Sequence, residues 1–277
     1  MAAIGVLQCS SRPYMQSAHS FGVLAFGCSI YFENACPEVS DAFERYILPP
    51  LPRESVPQPS HNMHLRVDRV DGSFRLAVDG VRVFSTPDTA ELVLGVLKVI
   101  DETVVYRLQS LKAVHAGAVV LENRAVLIPG STHAGKSSIV AELLRRGATL
   151  LSDEYALIDE AGRVHSYPRP MLLRDSRMQQ SPVLPSELGS TYAKGPVPVG
   201  WIMALEYRPS SDWSIQQVPQ SEALMILLRN TPHAMAESPE MVDFFLKAVS
   251  AAKCFTGYRG DAVQGADQIL HLIGAPA

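Results

Sequence analysis

Gly130-Ser131-Thr132-His133-Ala134-Gly135-Lys136-Ser137 matches the pattern G-x-x-x-x-G-K-[ST] at every fixed position. The stretch before it, Ala125-Val126-Leu127-Ile128, is a short apolar run ended by Pro129 and Gly130, and it reads as a strand. The stretch after it, Lys136 to about Arg146, has the spacing of an amphipathic helix and is closed by Gly147. Strand, glycine-bounded loop and helix make a phosphate cradle. Four free residues between two glycines let the backbone wrap around an anion with its N–H groups turned inward. The helix start adds partial positive charge. Lys136 reaches the outer phosphates, and the Ser137 hydroxyl can hold Mg²⁺. The expected nucleotide contacts are therefore Gly130, Ser131, Thr132, His133, Ala134, Gly135, Lys136, Ser137 and Ser138, with ATP and Mg²⁺ as cofactors. His133 stands at a variable position and reads as loop filler.

Outward from this loop, Val114 to Leu121 is an apolar strand turned by Glu122-Asn123. Thr149-Leu150-Leu151-Ser152 is the strand after the helix, and Asp153-Glu154 follows it directly. Acidic residues at that point can bind a metal or accept a proton from an attacking hydroxyl. Only one helix separates them from the phosphate loop, a short spacing that suits kinases better than motor ATPases. Tyr155 to Ile158 continues extended to a turn at Ala161-Gly162. The segment 174–198 lacks periodicity and carries Pro182, Pro185 and Pro196 with Gly189 and Gly195. It is expected to be a mobile loop at the mouth of the site, where Arg174, Arg177 and Lys194 could meet an anionic acceptor. Strands are expected at Trp201–Tyr207 and Trp213–Val218, and helices over 219–229, 239–252 and 261–273.

Upstream, Pro49-Pro50-Leu51-Pro52 with Pro57 and Pro59 marks a linker or stiff loop near 49–60. Leu65–Asp68 and Phe74–Val78 alternate apolar and polar around Asp71-Gly72, with Asp79-Gly80 next, which predicts a small antiparallel meander. Thr86-Pro87-Asp88 opens a helix, with Thr86 as cap, running to about residue 109. Leu92, Val93, Val96, Leu97 and Ile100 form its core-facing stripe. The expected organisation is an N-terminal α+β part over 1–110 and a catalytic domain over 111–277.

The whole chain has 277 residues, 47% hydrophobic and 19% charged, enough for one sizeable core. Its formal net charge of -4 comes with no long Lys/Arg run, so no nucleic-acid partner is expected. Cys9, Cys28, Cys36 and Cys254 form no C-x-x-C pair, and no His/Cys cluster has zinc spacing. No basic residue precedes Arg12, and the early run Phe21–Ile30 is too short to span a bilayer. A cytoplasmic protein with no membrane partner is the expectation, free to form a homo-oligomer.

His115 in Val114-His115-Ala116-Gly117 acquires meaning from the order in which these signals come. A His before a strand, two strands, phosphate loop, helix, then strand and acid pair resembles the catalytic domain of HPr kinase/phosphorylase over about His115–Asp159. That resemblance implies an α/β P-loop kinase fold of the HPr kinase and phosphoenolpyruvate carboxykinase type, a mixed sheet with helices. It implies His115, Lys136, Ser137 and Asp153 as active-site residues. Asp153 would be the general base, with His115 close by to orient it, and Ser137, Asp153 and Glu154 would face the metal. The chain departs from the family at Ser138, where the family has Glu, and at Glu154, the second acid of the family's Asp-Asp pair. It also lacks the family's Arg-Gly-rich downstream segment. Tyr167-Pro168-Arg169-Pro170 and Leu205-Glu206-Tyr207-Arg208-Pro209 look more like the divergent relatives that phosphorylate ribosomal peptide precursors, lasso peptides among them. The implied activity is transfer of the γ-phosphoryl group to a serine hydroxyl of a peptide or protein. A small-molecule kinase and a non-catalytic nucleotide-dependent sensor are the alternatives.

Overall fold

The alternation of Val23, Ile30, Phe32, Met63, Leu65, Val67, Phe74 and Leu76 with polar neighbours builds a sheet that is apolar on one face. In the computed structural model, which describes residues 20–47, 51, 63–131, 134–175, 179–232 and 240–275, this sheet is the first of three. The Pro-rich stretch near 49–60, except Leu51, lies outside the described residues, as do Cys9, Thr132, His133 and Arg177.

Strands β1 (Phe21–Ala25) and β2 (Cys28–Asn34) form a hairpin. Helix α1 (Ser40–Tyr46) follows, then β3 (Met63–Val70), which runs parallel to β2. Strands β4 (Ser73–Val78) and β5 (Val81–Thr86) complete the sheet in the order β1-β2-β3-β4-β5. The expected Asp-Gly turns are where the chain reverses, with φ of 51° and 79° at Asp71-Gly72 and 48° and 82° at Asp79-Gly80. Both residues of each turn are left-handed, as a two-residue hairpin twisting with its strands requires.

Helix α2 (Thr89–Arg107) lies across this sheet. Its cap is Asp88, not Thr86: the Asp88 carboxylate accepts from Glu91 N at 2.8 Å. Thr86 instead accepts from Asp88 N and donates to Glu91. The cap contributes about 1 kcal/mol. The buried stripe of Leu92, Val93, Val96, Leu97, Ile100, Val104 and Val105 contributes about 1.5–3 kcal/mol per side chain, so packing decides where α2 sits. Asp101 lies in the same buried stripe.

The second sheet is mixed. Strand β6 (Leu111–Leu121) is its spine, antiparallel to β7 (Arg124–Pro129). Helix α3 (Lys136–Arg145) leads to β8 (Thr149–Ser152), β9 (Tyr155–Asp159) and β10 (Arg163–His165). On its other side β6 pairs first with β9 through residues 111–115 and then with β8 through 118–120. Asp153 and Glu154 occupy the break between β8 and β9. A hairpin of β11 (Met171–Arg174) and β12 (Gln180–Val183) comes next, then β13 (Val197–Tyr207), parallel to β7. Strand β14 (Ser214–Gln217), helices α4 (Gln220–Arg229) and α5 (Met241–Ser250), strand β15 (Lys253–Arg259) and helix α6 (Ala262–Ile273) complete the described chain. Strand β15 is parallel to β13, and β10 touches both β9 and β13.

Strand alternation sorts the two faces of this sheet. Ala125, Leu127, Ile202 and Cys254 meet Ala223, Leu227, Phe245 and Val249 of α4 and α5. Val126, Ile128, Met203 and Phe255 meet Ile139, Val140, Leu143 and Ile269 of α3 and α6. The mixed α/β organisation expected from the sequence is what is found. The first apolar cluster continues past residue 110 into Leu111, Ala113, Leu157 and Tyr167, so α2 and β6 share a core.

The segment 174–198 is not an unstructured loop. It contains β12 and a helical turn over Pro185–Leu188. Beyond the turn the backbone bonds to β8: Leu150 N donates to Thr191 O at 2.9 Å and Ala193 N to Leu150 O at 2.8 Å. The buried Ser190 hydroxyl donates to Ala148 O at 2.6 Å. Pro182 is tolerated because β12 is an edge strand.

Gly117 sets how closely α3 approaches β6. A Cβ there would lie 2.6 Å from Val140 Cγ2. Gly117→Ala is expected to cost about 1–3 kcal/mol through overpacking. Thermal melts should show Val140→Ala recovering part of that loss in the same chain. No recovery would mean the strain lies elsewhere.

Candidate active site

Gly135 adopts φ 76°, a left-handed value that lets the loop turn sharply into α3. Lys136 is thereby placed at the helix start and buried. Its ammonium donates to Gly130 O and Ser131 O, both at 2.9 Å, so it closes the loop on itself. Burial pushes the Lys136 pKa down, against the pull of Glu154 and Asp153. A cavity of about 560 Å³ opens over this point. His115, Lys136, Ser137, Asp153 and Glu154 all line it, together with Ser138, Gly135, Arg174 and Arg259. Gly130, Ser131 and Ala134 do not line the cavity; Ala134 N bonds Ser131 O at 3.2 Å. Thr132 and His133 lie outside the described residues.

The two carboxylates at the β8–β9 break have opposite environments. Asp153 is almost fully buried. Its Oδ2 accepts from Leu172 N at 3.3 Å, and its Oδ1 has no hydrogen-bond partner among the described residues. Burial pushes its carboxyl up to about 6, with the Ser137 hydroxyl and the Arg169 charge pulling back. Glu154 is held below its ordinary value: burial raises it, but the hydrogen bond from His115 and the charges of Arg169, His115 and Lys136 outweigh that. Two acids pushed apart in this way suit different roles: one exchanges a proton near neutrality, the other stays a fixed charge.

His115 does not pair with Asp153. Its Nε2 is 3.2 Å from Glu154 Oε1. The reason is the strand break: Ala116 N bonds Glu154 O at 3.1 Å, which sets Glu154 beside His115, while Asp153 turns toward Ser137 and β11. Glu154, expected beside a metal, is engaged by His115 on one oxygen and by Arg169 at 3.7 Å on the other. An unpartnered buried carboxylate oxygen next to a serine hydroxyl fits a hard cation such as Mg²⁺, which takes few protein oxygens and fills its octahedron with water and phosphate oxygens. Asp153 and Ser137 are the residues that would hold it. Among the described residues no cluster of three or more His, Cys, Asp or Glu is arranged for a metal.

Several members of the site carry no motif. Arg169 is fully enclosed and pairs with Asp101 of α2 at 3.0 Å as well as with Glu154. The Tyr167 hydroxyl donates to the same Asp101 at 2.7 Å. A chain of polar groups thus runs from α2 through the buried Arg169 to the partly exposed Glu154 and His115. Arg259, at the end of β15, is 2% exposed and donates from Nη2 to Gly135 O at 2.6 Å. The Arg-Gly pair at 259–260 and the Tyr-Pro-Arg-Pro run were the available hints, and neither has a spacing rule attached to it. Arg174 lines the cavity from β11, whereas the exposed Lys194 does not.

No family model matches the chain, and no curated protein matches it. Among solved structures, the HPr(Ser) kinase/phosphatase from Coxiella burnetii is similar at 13% identity and a TM-score of 0.35, covering 59% of this chain and 94% of that one. A likeness of that size establishes neither fold nor activity. No described helix is long and apolar enough to cross a membrane.

Proposed function

We propose that this chain is an ATP-dependent phosphotransferase of the P-loop kinase type, acting on a serine hydroxyl of a peptide or protein acceptor. The observation that carries the reading is Asp153, a buried carboxylate with a free oxygen and a raised pKa, in one cavity with Lys136 and Ser137 of the phosphate loop. A base is most effective when its pKa lies near the working pH. Asp153 takes the hydroxyl proton as the acceptor oxygen bonds to the terminal phosphorus and the bond to the bridging oxygen breaks. Lys136 leaves its loop carbonyls and neutralises charge on the outer phosphate oxygens. The backbone N–H groups of the loop hold the remaining phosphates. Glu154, kept ionised by His115 and Arg169, holds the electrostatic frame around the base. Ser137 and Asp153 would hold Mg²⁺, which would supply positive charge against that of the phosphates. The expected HPr-kinase-type fold and the peptide acceptor belong to this proposal.

The test is ADP release over a library of serine-containing peptides, wild type beside Lys136→Ala. Peptide-dependent release is expected from wild type, with near-complete loss in the variant. Equal release from both proteins would remove Lys136 from the mechanism. Release indifferent to every peptide would replace the peptide acceptor with a small molecule or water.

A further inference from the structure

We propose that the flank of the cavity at the ends of β13 and β15 is a nucleobase subsite, with Tyr207 as the stacking platform for a purine ring and Arg259 tying that platform to the phosphate loop. The inference rests on the phosphotransferase reading and assigns the cavity's second half.

The phosphate loop lies between two flanks. On the side of β6 and β8 stand His115, Asp153 and Glu154, so the transferable end of a nucleotide faces them. Its nucleoside end then points the other way, over β13 and β15, whose carboxyl ends open onto the same cavity. Crevices outside the carboxyl ends of parallel strands are where such sheets bind ligands.

Tyr207 is built for that place. It follows Leu205 by two residues and so shares its face of β13. Leu205 is 5% exposed, in the core under α3 and α6; Tyr207, one step beyond the core's edge, is 46% exposed and lines the cavity. Its Cβ is 3.6 Å from where a Cβ on Gly135 would stand, within reach of the loop. Arg259 steadies the ring. Its guanidinium carbon lies 5.2 Å from the ring centroid, while its two terminal nitrogens donate to Gly135 O at 2.6 Å and Gly260 O at 3.0 Å. One side of the ring is thus anchored by a fixed cation, and the exposed remainder is free to stack. The neighbouring Tyr258 differs: Arg208 covers its ring at 3.7 Å and is itself held by Glu206. Tyr258 does not line this cavity.

The experiment is calorimetric titration of the full chain with two probes, ADP and inorganic tripolyphosphate, each with Mg²⁺. Tyr207→Ala is expected to weaken ADP by about 10- to 100-fold, the range of one base–aromatic stack, and to leave tripolyphosphate unchanged. Tyr207→Phe should bind ADP as wild type does, since only the ring face is used. Unchanged ADP affinity in Tyr207→Ala, or equal weakening of both probes, overturns the subsite. A wild type that binds tripolyphosphate but not ADP overturns it while sparing the phosphate loop. A wild type that binds neither removes the nucleotide reading, and the subsite with it.

Discussion

Asp153→Asn is expected to lower turnover by roughly 10²–10⁴-fold, or about 3–5 kcal/mol of barrier, with a much smaller change in nucleotide affinity. The amide keeps the shape of the side chain and can still face Ser137 and Leu172 N, but it cannot take a proton. In the wild type, activity should fall toward low pH, because the base must be ionised to act. That limb should be absent from the residual activity of the variant. A matching loss in Glu154→Gln with near-normal turnover in Asp153→Asn would reverse the two roles. The same substitution should alter stability with a definite sign. A carboxyl whose folded pKa is raised holds its proton more tightly in the native state, so its favourable contribution is full below the unfolded pKa near 4 and is lost as the pH rises through about 6. Asp153→Asn should therefore melt above wild type at pH 7–8, and the advantage should vanish toward pH 4. Melts with a chelator and without nucleotide would show it, and a variant less stable than wild type at pH 8 would contradict it.

Arg169→Ala is expected to cost about 3–5 kcal/mol, the penalty for stranding a buried partner charge. For a protein of this size that is a fall of roughly 6–20 °C in Tm. Asp101 would be left in an apolar core with only the Tyr167 hydroxyl, and Glu154 would lose its second contact. Replacing the group together, Arg169→Met with Asp101→Leu and Tyr167→Phe, should recover most of the stability, since an apolar set of similar volume needs no compensation. Turnover should stay depressed in the recovered protein because Glu154 still lacks Arg169. If the triple variant melts as low as Arg169→Ala, the buried charge is not the cause. If it regains full turnover, Arg169 has no part in holding the site.

The phosphate loop was legible because its chemistry is local: spacing, glycines, lysine and serine are contiguous, and the flanking strand and helix announce themselves by period. The Asp-Gly turns and the α2 stripe were legible for the same reason. What was not legible depends on register. Asp153 and Glu154 are adjacent in sequence, and which of them meets His115 follows from where β8 yields to β9 beside β6. No pattern within either strand marks that point. Arg169, Asp101 and Arg259 are single residues from distant segments; Asp101 sits inside an apolar helical stripe that offers no sign of a charge partner 68 residues on. The strand and turn within 174–198 were not legible because Pro182 hides an edge strand, and because the backbone bonds that pin 190–193 go to β8, far back in the sequence.

The carboxylate on α2 also decides what can be treated as a transplantable unit. A fragment beginning at residue 111 would retain every residue of the phosphate loop and the acid pair, yet it would carry a guanidinium deprived of Asp101 and a bare face formed by Leu111, Ala113, Leu157 and Tyr167. Swapping the N-terminal part between relatives, or trimming it for expression, would therefore act on the chemistry through Arg169. Any chimera has to carry the acid on α2 and the arginine at 169 as a matched pair.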